Sequence, residues 1–303
     1  MQQLLEKLVK DNIQFLGQGR LANYIPELSK ANINALGVCV IDKNHNIYCA
    51  GDYETRFSIQ SVSKIITLML ALLDNSYEYV FSKVGVEPSG DAFNSIMKLE
   101  SSNTKKPFNP MINAGAIAVA STIKGKDANE KFNRVLEFFR YICDDETACL
   151  SNEIYESENK TGNKNRALAY FMKNDGIIEG DVEEALEVYF KQCSILANTQ
   201  SLAKLGLFLA NDGFKDGKQV ISKKIAKIIK SLMLTCGTYD LSGEIALRVG
   251  LPCKSGVGGG MVSLVPKELG IGLYGPSLDN KGNSIGGVRI LEALSNTLDL
   301  SIF

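Results

Sequence analysis

The chain has 303 residues, with 33 Lys and Arg against 34 Asp and Glu, and therefore a net charge of −1. Binding to nucleic acid or to an anionic membrane surface needs a cationic excess or patch, so neither partner is expected. Hydrophobic residues make up 45% and charged residues 22%, which is typical of a globular protein and not of a disordered one.

The cysteines and the single histidine limit the possible chemistry. The seven cysteines are odd in number and form no C-x-x-C pair, so a disulfide framework or a thiolate zinc site is not expected. His45 lies between two apolar runs in the segment Asp-Lys-Asn-His-Asn, which is the pattern of a solvated hairpin turn. We therefore expect no Ser-His-Asp triad, no metal site and no organic cofactor.

The sequence favours a cytoplasmic protein. Its first eleven residues are amphipathic and charged throughout, unlike the apolar core of a signal peptide. The longest apolar stretch, residues 65–73, is much shorter than the roughly 20 residues that span a bilayer. Free thiols persist in a reducing compartment, which agrees with this prediction.

In chain order, the hydrophobic pattern predicts strands near both ends and helices between them. The chain is predicted to be helical to about Ser29, and residues 32–51 contain two short strands, the first covered on both faces. Residues 61 to about 235 are predicted to be mainly helical. The clearest helices are 130–143 and 200–211, the second with Thr199 as cap and Gly213 as stop.

The last 50 residues change character. Residues 256–260 contain four glycines, and two apolar runs, 261–265 and 269–274, follow on either side of the predicted turn 266–268. A final helix is predicted over residues 288–298.

These elements predict an α+β fold, an α/β sandwich with an antiparallel sheet built from the N- and C-terminal segments and flanked by helices. We expect one subdomain from residues 1–75 and 235–303 and a mainly helical one from 76–234. The active site is expected in the cleft between them.

An S-x-x-K motif offers a nucleophile that needs no histidine. On a helix, positions i and i+3 share a face, and a buried lysine loses its charge easily enough to act as a base. Ser61 and Lys64 stand out because they open the apolar stretch at 65–73, where helix N–H groups favour an oxyanion. The alternative is that Ser61 only caps the helix. The other matches are Ser95/Lys98, Ser102/Lys105, Ser121/Lys124, Ser157/Lys160 and Ser201/Lys204.

A second motif, Lys254-Ser255-Gly256, precedes the strand at 261–265. Serine acyl enzymes of the penicillin-recognising group carry S-x-x-K early and K-T-G late in the chain, in the order seen here. A strict S-D-N is missing, although Ser101-Ser102-Asn103 is loosely similar. The glycines that follow match no phosphate-binding spacing and predict close backbone approach to a substrate.

From about Gly19 to the C-terminus, the chain resembles the serine-dependent glutaminases. The resemblance rests on several blocks in the same order, which are Leu-Ala-Asn-Tyr-Ile-Pro-Glu-Leu from 21, Phe-Ser-Ile-Gln-Ser-Val-Ser-Lys from 57, Asn-Pro-Met-Ile-Asn-Ala-Gly-Ala-Ile from 109, Cys-Gly-Thr-Tyr-Asp from 236 and Gly-Leu-Pro-Cys-Lys-Ser-Gly-Val-Gly-Gly-Gly from 250. It implies a β-lactamase-like fold, hydrolysis of L-glutamine to L-glutamate and ammonia, and a homodimer or homotetramer.

The resemblance also implies roles for individual residues. Ser61 matches the nucleophile and Lys64 the general base, while Tyr24 and Tyr239 match active-site tyrosines. The positions that match substrate-binding residues are Ser61, Asn113, Glu158, Asn165, Tyr189, Tyr239 and Val257.

Each of these residues also has a purely structural interpretation. Glu158 is then a solvated helix charge, Asn113 and Asn165 are helix caps, and the tyrosines are core rings. Two other functions stay open at this point. One is a serine hydrolase that β-lactams acylate, and the other is an amino-acid-binding module without catalysis.

Overall fold

The computed structural model describes residues 1–89 and 105–303. Two pairs and one triplet considered above, Ser95/Lys98, Ser102/Lys105 and Ser101-Ser102-Asn103, therefore fall wholly or partly outside the described residues. The strands are β1 Gly37–Asp42, β2 Ile47–Gly51, β3 Phe57–Ser58, β4 Cys149–Leu150, β5 Ile195–Ala197, β6 Phe214–Lys215, β7 Lys218–Gln219, β8 Cys253–Ser255, β9 Gly260–Val265 and β10 Leu269–Tyr274.

The helices lie at both ends of the chain and between the strands. They are α1 Gln2–Asn12, α2 Ser63–Asp74, α3 Tyr77–Lys83, α4 Asn113–Ser121, α5 Ala128–Cys143, α6 Asn152–Thr161, α7 Asn163–Asn174, α8 Val182–Cys193, α9 Thr199–Ala210, α10 Lys223–Cys236, α11 Ser242–Arg248 and α12 Ile285–Leu298. Short 3-10 turns cover Ile13–Gln18, Pro26–Lys30, Gln60–Val62 and Tyr239–Leu241.

The main sheet confirms the predicted α+β fold. Its five strands lie in the order β2-β1-β10-β9-β8, and every neighbouring pair is antiparallel. The N-terminal hairpin β1–β2 thus joins the C-terminal strands directly, as the two apolar ends of the sequence predict. The turns are also where the pattern placed them, since His45 is exposed and has φ 64°, and Lys267 has φ 64°.

Strand β1 is covered on both faces, which explains its unbroken apolar sequence. Val38 and Val40 pack in a core with residues of α1 and α12. Cys39 and Ile41 face the opposite side and pack against Ala203 and Leu207 of α9, in a separate group of side chains. Successive strand residues point to opposite faces, so a strand between two helical layers needs apolar residues at every position.

Two local predictions were wrong. The chain is not helical throughout to Ser29, because α1 gives way to a 3-10 turn at Ile13 and the chain runs extended from Gly19, where Arg20 pairs with Leu278. The cap of α9 is Asn198 and not Thr199. The Asn198 side chain accepts a hydrogen bond from the N–H of Ser201, which places the cap one residue earlier.

Helix α9 lies directly on the sheet although it comes from the central part of the chain. An added Cβ at Gly270 or Gly272 of β10 would stand about 2 Å from backbone oxygens of α9, at 2.0 Å from Ala203 and 1.9 Å from Thr199. Glycine is therefore needed there for the close approach. The subdomain boundaries at 75/76 and 234/235 remain a prediction.

Candidate active site

Ser61 lies in the 3-10 turn between β3 and α2 and is 6% exposed. The residue before this turn is tied to the neighbouring strand, since the N–H of Ile59 donates to the carbonyl oxygen of Ile195 at 2.9 Å. Gln60 adopts φ 45°, an unusual backbone angle for a residue with a side chain. Ser61 thus sits at the N-terminal end of an apolar helix, as predicted.

Lys64 is buried one turn further along, at the start of α2. Its Nζ donates to the carbonyl oxygen of Met111 at 3.0 Å and to Oδ1 of Asn113 at 2.8 Å. Burial lowers the pKa of Lys64 to about 8, and the nearby Cys193 and Glu158 act in the opposite direction. A lysine in this setting is neutral in a substantial fraction of molecules at slightly alkaline pH.

The amide of Asn113 joins Lys64 to a second asparagine. Its Oδ1 accepts from Lys64, and its Nδ2 donates to Oδ1 of Asn165 at 3.0 Å. Asn113 is the first residue of α4, and the cap position before it is occupied by Ile112. The three side chains therefore form one buried polar chain contributed by α2, α4 and α7.

Glu158, on α6, is buried and carries an unusually basic carboxylate. Burial raises its pKa to about 8, while a hydrogen bond with Gln60 and the charge of Lys64 act in the opposite direction. One oxygen, Oε2, is buried and has no hydrogen-bond partner among the described residues. Burying a carboxylate oxygen without a hydrogen-bond partner costs free energy unless a bound ligand supplies that partner. Glu158 is therefore a candidate for binding a cation.

Tyr239 connects Ser61 to the strand that carries Lys254. The Tyr239 hydroxyl donates to the carbonyl oxygen of Ser255 at 3.1 Å. Burial raises its pKa, and a hydrogen bond with the Ser61 side chain opposes that effect. Nζ of Lys254 donates to the carbonyl oxygens of Ser255 at 2.6 Å and Gly237 at 3.0 Å and lies 4.7 Å from the Tyr239 ring centroid.

Tyr24, Tyr189 and Val257 complete the predicted set. Tyr189 is fully enclosed, and burial raises its pKa. Tyr24 is 49% exposed as a residue, yet burial and the charge of Glu158 raise the pKa of its hydroxyl. Tyr24 is therefore partly open to solvent, while its hydroxyl lies close enough to Glu158 to interact with that charge. Val257 is buried beside Tyr24.

Val257 is part of the lining of two open cavities. One has a volume of 340 Å³ and is lined in part by Tyr24, Asp240 and Gly282. The other, of 410 Å³, is lined in part by Ser58 and Gly258. Each is large enough for an amino acid, but within the described part of the chain their linings do not reach Ser61 or Glu158, which are buried.

The glycine-rich turn approaches the protein's own backbone. An added Cβ at Gly256 would be 2.5 Å from the carbonyl oxygen of Ile59 and 3.3 Å from the N of Ser61. At Gly258 it would be 2.3 Å from the carbonyl oxygen of Ser58. The structure therefore explains these glycines by contact with the Ser61 turn, where the sequence suggested contact with a substrate.

Comparison with known proteins decides the family. A family model described as glutaminase matches residues 19–303. A glutaminase of Fusobacterium nucleatum is 60% identical over 304 residues, covering all of both chains, and glutaminase 2 of Clostridium perfringens is 52% identical over 305 residues, again covering all of both. The solved covalent complex of a Bacillus subtilis glutaminase with 5-oxo-L-norleucine has a TM-score of 0.92 and 40% identity, covering 100% of this chain and 99% of that one.

The chain belongs to the glutaminase family. It is an enzyme of that activity, and the β-lactamase-like fold that the resemblance implied is confirmed. The predicted site residues of this glutaminase come from segments far apart in sequence. Tyr239 is hydrogen-bonded with Ser61, Asn113 links Lys64 to Asn165, and Glu158 is hydrogen-bonded with Gln60, although their individual roles remain predictions.

Sequence reasoning missed one member of this glutaminase site and left another without a role. Gln60 is hydrogen-bonded to Glu158 and has a left-handed backbone, and its place in the Ser-Ile-Gln-Ser block was the available signal. The sequence pattern gives Lys254 no role beyond its place in the Lys254-Ser255-Gly256 motif. Burial lowers its pKa well below the ordinary value, and the charge of Lys64 adds to the effect.

Two further findings concern the described residues of the glutaminase. Within 1–89 and 105–303, no helix is long and apolar enough to cross a membrane. In the same ranges, no three His, Cys, Asp or Glu side chains are grouped so that they could share a metal ion.

Proposed function

We propose that this glutaminase hydrolyses L-glutamine through a γ-glutamyl ester on Ser61, with neutral Lys64 as the general base. The observation that supports this most directly is the hydrogen bonding of Lys64. A neutral amine has two N–H groups and one lone pair. The carbonyl of Met111 and the amide of Asn113 take the two N–H groups, so the lone pair is left to accept the Ser61 proton.

In the first step, the Ser61 proton moves to Lys64 and Oγ attacks the side-chain amide carbon of glutamine. Backbone N–H groups of Ser61 and Val257 hold the oxyanion, and each such donor is worth roughly 3 kcal/mol. The closeness of residue 256 to the N of Ser61 supports this pairing.

Collapse of this intermediate breaks the C–N bond, and the nitrogen leaves as ammonia after taking a proton. Tyr239 is the better placed relay, because its hydroxyl is hydrogen-bonded with Ser61, whereas Tyr24 covers the site from the solvent side. Water then attacks the ester carbonyl, which releases glutamate and returns the proton to Ser61.

Substrate recognition is proposed to use the buried polar groups around Ser61. Glu158 pairs with the α-ammonium through its unpartnered Oε2, and the amide N–H groups of Asn113 and Asn165 donate to the α-carboxylate. Tyr189 and the backbone of Val257 are proposed to contact the substrate as well.

Covalent labelling tests the nucleophile directly. The protein is treated with 6-diazo-5-oxo-L-norleucine and digested with trypsin, and the peptide of residues 57–64 is fragmented. We expect one added 5-oxo-L-norleucine group on Ser61, and for Ser61→Ala neither label nor ammonia release from glutamine. Ser63→Ala is the matched control in the same peptide and should keep the label. Label on Ser58 or Ser63, or near-normal turnover by Ser61→Ala, would contradict the assignment.

The same ammonia assay separates the alternatives raised by the sequence. Asparagine and nitrocefin serve as comparison substrates. Hydrolysis of nitrocefin with no hydrolysis of glutamine would indicate a β-lactam hydrolase. Glutamine binding with no release of ammonia would indicate a binding module.

We also propose a cytoplasmic homodimer or homotetramer. Its seven free thiols suit a reducing compartment, and the family resemblance supports the assembly. Light scattering of the purified protein measures the assembly, and the mass of a single chain at micromolar concentration would contradict it.

A further inference from the structure

A pair of cysteines faces each other across the hairpin β1–β2, far from the groups of the proposed active site. Cys39 and Cys49 are direct partners in the antiparallel register. Their Sγ atoms are 2.6 Å apart, compared with about 2.05 Å in a disulfide bond, and both thiols are free in the structure.

The backbone hydrogen bonds show which kind of pair this is. The pairs at both ends of the hairpin are hydrogen-bonded, since the N–H of Asp52 donates to Leu36 and that of Asp42 donates to Asn46. Bonded and non-bonded pairs alternate along an antiparallel ladder, which makes 39/49 a non-bonded pair. The carbonyl of Cys49 indeed points away from β1 and accepts from Nε2 of Gln2 at 2.9 Å.

This geometry suits a covalent bond between the strands. Cα atoms of a non-bonded pair are about 4.5 Å apart, which lies inside the range that disulfides span, roughly 4.4–6.8 Å. Cross-linking therefore needs rotation of the two side chains and no strand displacement.

The pair is reachable from solvent through one of its members. Strand β2 is the edge of the main sheet, and Cys49 on it is half-buried. Cys39 is fully buried against Ala203 and Leu207 of α9. The contact between the thiols lowers the pKa of Cys49 and raises that of Cys39. The more accessible sulfur is therefore also the more easily ionised one.

We propose that Cys39 and Cys49 form a reversible disulfide when the protein meets a small-molecule disulfide such as oxidised glutathione. The Cys49 thiolate attacks one sulfur of the oxidant, whose S–S bond breaks and releases one thiolate. Cys39 then gives up its proton and attacks Sγ of Cys49, which releases the second thiol. Two protein thiols are oxidised, one oxidant disulfide is reduced to two thiols, and the proton from Cys39 ends on a released thiolate.

The test uses the intact folded protein and oxidised glutathione. After exposure, remaining thiols are alkylated and the protein is digested with trypsin without reductant. Trypsin cuts after Lys43, so the two cysteines fall in separate peptides, 31–43 and 44–56. We expect these two peptides joined by a disulfide, two fewer alkylated thiols per chain, and full return to the free form with dithiothreitol.

Three variants make the result decisive. Cys39→Ser should stop at a stable glutathione adduct on Cys49, and Cys49→Ser should protect Cys39 from oxidation. Cys149→Ser removes an exposed cysteine on another sheet and should still give the cross-linked peptides. Oxidation that appears only on Cys149, or glutathione that stays on Cys49 in the unmutated protein without cross-linking, would overturn the proposal. The proposal would also be overturned if Cys49→Ser still lost two thiols on exposure to oxidised glutathione.

Discussion

At the scale of single residues, the site is governed by two buried ionisable groups of opposite sign. Burial pushes the pKa of Lys64 down and that of Glu158 up, and both reach about 8. Each shift reflects loss of hydration around a charge, which the other group only partly replaces. Both groups therefore change ionisation near pH 8, where Lys64 becomes neutral and Glu158 becomes a carboxylate as pH rises.

The Lys64 assignment predicts a pH profile. Activity should rise as pH increases through about 8, because only the neutral amine accepts the Ser61 proton. Lys64→Arg cannot provide a neutral base and should lose activity by about 10²–10⁴-fold across the range. The measurement is kcat/KM for glutamine between pH 6 and 10.

Lys204→Arg is the matched control for that profile, since Lys204 belongs to another S-x-x-K pair, on α9, and forms an ion pair with Asp144 at 3.7 Å. It should leave the profile unchanged. If kcat/KM of Lys64→Arg still rises through pH 8 as in the unmutated enzyme, a group other than Lys64 is responsible for that rise.

If Glu158 binds the substrate, its replacement should stabilise the fold and weaken glutamine binding. Its pKa is raised in the folded state, so its contribution to stability is complete below the ordinary value of 4.5 and is lost as pH rises through about 8. At pH 8, the free energy of unfolding of Glu158→Gln should therefore exceed that of the unmutated enzyme by a few kcal/mol. This difference should shrink towards pH 5. Glutamine binding should weaken strongly at the same time.

Urea unfolding at the two pH values and the KM for glutamine are the measurements. Equal stability of the two proteins at pH 8 would mean that Glu158 is solvated, and an unchanged KM would remove it from the binding site.

At the scale of elements, catalytic geometry depends on how closely the turn at 256–258 approaches the turn at Ser61. The two meet backbone to backbone, at distances that leave no room for a side-chain carbon. The strand β8 and the helix α2 are thereby held in a fixed relation, which sets where the N–H groups of Ser61 and Val257 point.

Gly256→Ala tests this contact. The added carbon would stand 2.5 Å from the carbonyl oxygen of Ile59, so the turns must separate. We expect a loss of about 1–3 kcal/mol in unfolding free energy and a lower kcat. Gly243→Ala is the control, because open space surrounds its position in α11 and the change should stabilise by about 0.5–1 kcal/mol. Equal behaviour of the two variants would rule out the contact as a constraint.

At the scale of the whole molecule, one polar network joins distant segments around the strand that leads to Ser61. Arg56, just before β3, donates to Asp145 at 3.2 Å, to Thr147 at 2.9 Å and to the carbonyl of Leu196 at 3.0 Å. Ser201 of α9 donates to the same carboxylate at 2.6 Å. Helix α9, which covers the main sheet, is thus linked to the short sheet β3-β5-β4.

Asp145→Asn should weaken this link. Burial raises the pKa of Asp145, but hydrogen bonds from Ser201 and Thr147 and the charge of Arg56 more than offset it and leave the pKa below 3.8. The carboxylate therefore stabilises the fold above that pH and ceases to do so as pH falls through its folded pKa. We expect a loss of about 2 kcal/mol at pH 7, limited by the partial exposure of Arg56, and a smaller loss near pH 3.

Thermal or urea unfolding at both pH values checks this prediction. Thr147→Val is a milder comparison that removes one hydroxyl and keeps the ion pair. A loss that is the same at pH 3 and pH 7 would show that the carboxylate charge is not responsible.

Much of this enzyme was predictable from its sequence because the informative patterns are local. Apolar runs define the strands at both ends, and the spacing of Ser61 and Lys64 at the start of an apolar helix makes them the candidate nucleophile and base. Ordered blocks from residue 19 onward identify the glutaminase family. Local patterns failed where a distant segment overrides them, as at residues 13–29, where Arg20 pairs with Leu278 and the chain leaves the helix.

What only the tertiary structure decided is which polar groups meet. The sequence does not show that the carbonyl of Met111 and the amide of Asn113 bind Lys64, that one oxygen of Glu158 lacks a partner, or that two cysteines face each other on an edge strand. Burial and hydrogen-bond partners set ionisation and reactivity, and both arise from packing between segments that are far apart along the chain.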